Sequence, residues 1–209
     1  MRVLVGTSGY SYKEWKGPFY PKDLAAGDFL RYYGARLATV EINNTFYRMP
    51  TAKLVEGWAE AVPETFSFAV KAPQRITHIA KLQSAGELTD TFVRVASKLG
   101  PRLGPLLFQL PPFLRKDVAR LRAFLESAPR GHRIALEFRH ASWFDEDVWA
   151  ALREHGAALC VAEGEKLVSP LVATAEWGYL RLRRDEYPDD VLAEWAQKIR
   201  AQPWKEAFV

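Results

Sequence analysis

Ile134-Ala135-Leu136-Glu137-Phe138-Arg139 is the stretch whose reading decides the fold. Successive strand side chains point to opposite faces, so Ile134, Leu136 and Phe138 share one face and Ala135, Glu137 and Arg139 the other. The pattern recurs in Thr39-Val40-Glu41-Ile42-Asn43, Phe66-Ser67-Phe68-Ala69-Val70-Lys71, Leu106-Leu107-Phe108-Gln109 and Leu180-Arg181-Leu182-Arg183. Each run pairs one apolar face with a second face that ends in a strongly polar residue. If the apolar faces pack on helices, Glu41, Asn43, Lys71, Gln109, Glu137, Arg139, Arg181 and Arg183 share the other surface. Polar groups converging from the C-terminal ends of many strands are how a barrel protein builds a site.

Strands are expected at 2–6, 38–43, 66–71, 105–110, 133–139, 157–162 and 178–183, with Ala207-Phe208-Val209 beginning an eighth. Helical spacing fits between them, in Leu54, Val55, Trp58, Ala59 and Val62 and again in Leu88, Phe92, Val95, Ala96 and Leu99. Asp117, Asp145 and Asp189 are expected to cap three later helices. Strand–helix alternation implies a parallel sheet covered by helices. An open doubly wound sheet is the runner-up, but its central strands are usually apolar on both faces. The expected fold is therefore an α/β, TIM-barrel-like (β/α)8 barrel, one domain over 1–209, truncated in its eighth βα unit and lacking the final helix. Val3, Val5, Leu180 and Leu182 are expected to lose cover as a result.

The 209 residues carry a net charge of +4, which permits an anionic ligand without requiring nucleic acid. The single cysteine, Cys160, fits a reducing cytoplasm and reads as a small core residue. The first residues read as a strand rather than a signal segment, and no apolar run approaches the roughly eighteen residues of a membrane span.

Gly6-Thr7-Ser8-Gly9 follows the first strand and could bring backbone amides and the Ser8 hydroxyl to an anion. It is neither a P-loop nor a dinucleotide fingerprint. Tyr10, Tyr12, Trp15, Phe19 and Tyr20 after it form either an aromatic plug or a ligand-facing lid, in which Tyr10 and Trp15 would line the mouth with Tyr47. Glu41 is a candidate base or orienting group, Asn43 a ligand-binding amide, and Asn44 a turn residue. Lys71 is a candidate base or imine-forming amine, although pairing with Glu41 or Glu137 would keep it a cation. In Glu137-Phe138-Arg139-His140, a carboxylate, a guanidinium and an imidazole could supply base, anion clamp and acid. The competing account is an interior ion-pair network with His140 capping the next helix. His78 is a second candidate acid, and Gln109 and Arg181 are candidate ligand contacts. Four scattered histidines make a zinc cluster improbable, whereas Mg²⁺ or Mn²⁺ on Glu41 and Glu137, with Glu163, would suit hard oxygen donors.

The chain resembles the YecE-like family, also called domain of unknown function 72. The matching stretches are Gly6-Thr7-Ser8-Gly9 with Trp15, Glu41-Ile42-Asn43-Asn44-Thr45-Phe46-Tyr47, Phe68-Ala69-Val70-Lys71 and Ile76-Thr77-His78. Leu107-Phe108-Gln109-Leu110-Pro111-Pro112, Glu137-Phe138-Arg139-His140 with Trp143, and Tyr179-Leu180-Arg181-Leu182 complete the set. The resemblance implies a TIM-barrel-like fold and supplies no activity. Likeness of such barrels to sugar isomerases and DNA-repair endonucleases is analogy at fold level. Arg183-Arg184 stands where the family often has His-Gly, so no histidine role carries over there. The family also continues past Val209 with a polar strand end and a closing helix.

Three functions are open on these residues. The first is a cytoplasmic barrel enzyme acting on a small anionic, phosphorylated or polyhydroxylated substrate by acid/base or phosphate-ester chemistry. In it Arg139, Arg181 and Lys71 hold the anion, Glu137 is the general base, and His140 or His78 the acid. The second is a nucleic-acid-binding or processing barrel that adds Arg183 and Arg184. The third is a non-catalytic ligand-binding protein. No membrane partner is expected.

Overall fold

The computed structural model describes residues 1–164 and 167–209. Its strands are β1 (Arg2–Leu4), β2 (Gly6–Ser8), β3 (Thr39–Ile42), β4 (Ser67–Lys71), β5 (Leu103–Gln109), β6 (Ile134–Glu137), β7 (Ala158–Glu163), β8 (Trp177–Leu182) and β9 (Glu206–Phe208). They form one parallel sheet in the order β1-β9-β8-β7-β6-β5-β4-β3-β2. β1 and β2 are two halves of one strand, broken at Val5. The first half pairs with β9 and the second with β3, and this curls the sheet into a nearly closed barrel. The Gly6 N–H donates to the Val209 carbonyl, and the Val209 N–H to the Leu4 carbonyl, both at 2.9 Å. Gly6 is required here, because a Cβ would lie 2.1 Å from the Thr39 carbonyl oxygen.

Among the described residues, six α-helices cover the outside: α1 (Phe29–Gly34), α2 (Ala52–Glu60), α3 (Gly86–Ala96), α4 (Val118–Ser127), α5 (Glu146–Glu154) and α6 (Asp189–Arg200). Asp117 and Asp145 cap α4 and α5, accepting from the Arg120 and Asp147 N–H groups. Asp189 does not cap α6. Pro188 precedes the helix, and Asp189 and Asp190 occupy its first turn, where their charges oppose the positive end of the helix dipole. The alternation breaks once, since among the described residues no helix joins β7 to β8.

Outward residues such as Val40, Phe68, Phe108, Leu136 and Leu159 build the shell core with the helices. The barrel interior is a separate cluster. Its small residues Ala69, Ala135, Ala158 and Cys160 make room for Trp177, Tyr179 and Phe208, a size alternation typical of small barrels. Cys160 is fully buried, and its thiol pKa is pushed well up, first by burial and then by Glu137. It is a core residue.

Val3 and Val5 are exposed. Leu180 is not, which corrects the expectation: it is buried with Trp195 and Ile199 of α6 and with Trp204. Leu182 is partly buried in the same cluster. No described helix is long and apolar enough to cross a membrane.

Candidate functional site

The polar ends of β3, β5, β6 and β8 meet inside the barrel. Arg181 reaches from β8 to two carboxylates, with Nη1 donating to Glu137 Oε2 at 2.5 Å and Nη2 to Glu41 Oε1 at 2.8 Å. Tyr179, two residues earlier and therefore also inward, donates its hydroxyl to Glu41 Oε2 at 2.6 Å. Ser8 donates to Glu41 Oε1 at 2.9 Å, and Asn43 Nδ2 donates to the Ser8 hydroxyl at 2.8 Å. Gln109 Nε2 donates to Glu137 Oε1 at 2.8 Å. All four oxygens of the two carboxylates are thus engaged. Glu41, Gln109, Glu137 and Arg181 are each no more than 6% exposed.

Burial favours a protonated Glu41, but the Arg181 charge and the Tyr179 and Arg181 hydrogen bonds outweigh it and hold the pKa below the ordinary value. Burial also opposes the charge of Arg181, yet Glu137 and Glu41 raise its pKa well above normal. Burial, followed by the Glu41 charge, drives the Tyr179 phenol far up. The cluster is an ionised carboxylate–guanidinium–carboxylate bridge clamped by neutral donors.

This bridge alters three expectations. Glu137 accepts from Gln109 at one oxygen and from Arg181 at the other, so it is held in the bridge. Lys71 has no ion-pair partner among the described residues, because Arg181 has taken both carboxylates. Its Nζ lies over the Phe46 ring, 4.5 Å from the centroid. The pKa of this half-buried amine is lowered by burial first and then by Arg181, against the pull of Glu137 and Glu41, with Arg183 lowering it further. A resident Mg²⁺ or Mn²⁺ on Glu41 and Glu137 does not fit, since the ion would have to displace the guanidinium that binds both. Glu163 cannot join them. It faces outward, ion-paired to Arg184 and accepting from the Tyr187 hydroxyl at 2.6 Å.

The remaining sequence candidates ring the mouth. Arg139 is exposed and makes no ion pair among the described residues, and neither does exposed Arg183. His78 packs edge-on against Phe46, with Nδ1 2.9 Å from the Thr77 hydroxyl. Burial, then Lys71 and Arg139, lower its pKa, so the imidazole is neutral near pH ~7. His140 caps the short turn after β6: Nδ1 accepts from the Ser142 N–H at 3.1 Å and bonds the Ser142 hydroxyl at 2.8 Å. Tyr47 stands at the rim, 76% exposed.

Tyr10 packs on Tyr33, and Trp15 on Tyr12, Phe19 and Tyr20. Tyr20 is 1% exposed and stacks on Phe29, which anchors this cluster to the shell core. A small pocket of about 200 Å³ remains between Tyr10, Tyr12, Asn43, Asn44 and Trp58. A second cavity, of about 300 Å³, opens between β2 and β8 toward Glu41, Tyr179, Arg181 and Arg183.

Sequence reasoning missed Tyr179 and Phe46. Strand parity could have found Tyr179, which shares the face of Arg181. No periodicity singles out Phe46, which lies in a turn.

Residues 4–209 match the family described as Protein of unknown function DUF72. UPF0759 protein YunF of Bacillus subtilis (strain 168) is 32% identical over 151 residues, a stretch covering 68% of this chain and 52% of that protein. The matched stretch therefore spans about half of that relative's length. A DUF72 family protein from Thermotoga maritima MSB8 (TM1631) superposes with a TM-score of 0.87 at 30% identity, covering 100% of this chain and 91% of the other. A DUF72 family protein from Enterococcus faecalis V583 (EF0366) shares the fold with a TM-score of 0.81 at 19% identity, covering 99% of this chain and 87% of the other. The fold and the family match agree, and the chain belongs to the DUF72 family, whose function is unknown.

Proposed function

We propose that the barrel mouth binds a small anionic, phosphorylated or polyhydroxylated substrate and that the protein is an enzyme transferring protons there. The observation that carries this reading is the charge balance at the mouth. Glu41 and Glu137 are both used by Arg181, while Lys71, Arg139 and Arg183 have no carboxylate partner among the described residues. Cations held near a partly desolvated mouth attract an anion more strongly than the same charges in water.

In this reading Arg139 and Arg183 hold the anion. Glu137, with Gln109, fixes Arg181 rather than acting as base. Lys71 and neutral His78 are the groups that exchange protons with substrate. Lys71 is the better base of the site, because its pKa is depressed while its side chain is still within reach of solvent.

Calorimetric titration with inorganic phosphate and with phosphosugars tests the anion site. Arg139→Ala and Arg183→Ala are each expected to weaken binding by about 10- to 100-fold, the worth of a charged hydrogen bond of about 1.5–3 kcal/mol. Their melting temperatures should stay near that of the parent. Equal affinity in the parent and both variants would sink the assignment.

A second reading, a nucleic-acid surface, rests on the loops after β3, β4, β5 and β6. Segments 43–51, 72–85, 110–116 and 138–144 contain no Asp or Glu, while Arg48, Arg75, Arg115 and Arg139 are exposed there beside Tyr47, Ile79 and Phe113. Basic loops interleaved with exposed rings suit a single strand whose bases stack. A steep fall of oligonucleotide affinity with salt would favour it over the small-substrate reading. Ligand binding without turnover would instead favour a non-catalytic binding protein.

A further inference from the structure

We propose that Lys71 forms an imine with a small anionic aldehyde or ketone, such as a phosphorylated aldehyde or a 2-oxo acid. The inference rests on the reading of the mouth as an anion site and names the chemistry done there. An amine that attacks a carbonyl must be placed, reachable and free of a carboxylate partner, and Lys71 meets each condition. It ends β4, where the Thr45 hydroxyl donates to its carbonyl at 2.6 Å and the Ala72 N–H ties the next residue to the Leu107 carbonyl at 2.8 Å. Both carboxylates of the inner ring are used by Arg181, so no described ion pair holds the ammonium.

The Phe46 ring face favours the ammonium. Burial and the charges of Arg181 and Arg183 act the other way, and the net direction is toward the free amine. Arg139 and Arg183 leave the anionic group of a ligand a place beside this amine. His78, on the same Phe46 ring and neutral, is the group placed to carry protons.

The step balances without an oxidant or reductant. The amine lone pair forms the C–N bond, the carbonyl π pair moves to oxygen, and the nitrogen gives up one proton as the oxygen takes one, which yields a carbinolamine. Its hydroxyl takes a second proton and leaves as water, giving the protonated imine; the second N–H proton is lost in forming the neutral imine, so amine and carbonyl yield one imine and one water. The protonated imine then draws electrons from the adjacent carbon, which is what proton removal or carbon–carbon cleavage there requires.

The full chain should be treated with limiting pyridoxal 5′-phosphate, and separately with glyoxylate, then reduced with borohydride and mapped by peptide mass. Lys71 is expected to be labelled before exposed Lys13 and Lys53, because its pKa is lowered. Excess inorganic phosphate should protect it. Lys71→Arg should lose that label and keep the parent melting temperature. Labelling spread over the exposed lysines, with Lys71 no faster than they are, would overturn the proposal. Phosphate binding without Lys71 labelling would overturn the imine alone. Labelling of Lys71 that phosphate neither blocks nor slows would support the amine chemistry and count against the anion site.

Discussion

Arg181→Met tests the centre of the site most directly. The substitution keeps an unbranched side chain of similar reach but removes the charge that Glu41 and Glu137 share. Those carboxylates are 6% and 3% exposed, so neither can recover its lost partner from solvent. Removing one member of a buried pair costs about 3–5 kcal/mol, because the partner charge stays buried and uncompensated. Against a total stability of about 5–15 kcal/mol, this is a large fraction.

The pH dependence follows from Glu41. In the parent its folded pKa is depressed, so its contribution is present above the unfolded pKa and lost as pH falls through the folded one. In Arg181→Met burial acts without its counterweight, and the folded pKa rises above the unfolded one. The variant then loses stability as pH rises from the unfolded carboxylate pKa, ~4.3, up through the raised folded one. The deficit should be full at about pH 7 and shrink markedly by about pH 4. Urea melts at both pH values measure it. The triple variant Arg181→Met/Glu41→Gln/Glu137→Gln removes every charge and should recover most of the loss, which separates charge from packing. A cost under about 1 kcal/mol at neutral pH, or an equal cost at both, would refute the account of a charge-matched bridge.

Other positions give simpler tests. Gly6→Ala should destabilise by about 3 kcal/mol or more, since its Cβ would overlap the Thr39 backbone; a variant melting with the parent would show that the strand break can shift. Asp117→Ala should cost about 1 kcal/mol through loss of the α4 cap, read by chemical denaturation, whereas Asp189→Ala should cost less because its side chain caps nothing. Tyr179→Phe should cost about 1–3 kcal/mol by leaving Glu41 Oε2 without a donor, and a neutral result would mean that water replaces the phenol. Cys160 should react with a thiol reagent only at the rate of unfolding, so fast modification of the native protein would contradict its burial.

The barrel was legible because its strands have unlike faces. Val40, Phe68, Phe108, Leu136 and Leu180 alternate with Glu41, Ala69, Gln109, Glu137 and Arg181, and two helices cannot both cover such a strand. Asp117 and Asp145 were legible as caps because a short acidic side chain stands before an apolar stripe. Asp189 fits the same rule, but Pro188 already supplies the entry angle, so the cap position moved by one residue. Among the described residues no helix joins β7 to β8, and the Thr174 hydroxyl there accepts from the Leu159 N–H and donates to the Ala157 carbonyl. Leu180 was misjudged because parity gives a face and not its cover. Trp195 and Ile199 of α6 bury it from a helix that follows its strand.

Parity also placed Glu41, Lys71, Gln109, Glu137 and Arg181 on one surface, but it could not say which charges would pair. Two cations and two carboxylates admit several matchings, and side-chain geometry chooses among them. The planar guanidinium offers separate N–H groups, so one Arg181 on β8 satisfies a carboxylate on β3 and another on β6 at once. An ammonium is a compact charge, and Lys71 in the same position would satisfy the two less well. The matching that leaves the fewest unmet buried oxygens therefore gives both carboxylates to the arginine. Among the described residues Lys71 is left out as a consequence, and it lies near the mouth, where solvent makes a cation without an ion pair tolerable. Lys71, which the sequence left between a reactive amine and a paired cation, has no ion-pair partner among the described residues. The cause is four strands away in the sheet, in the choice of arginine at 181.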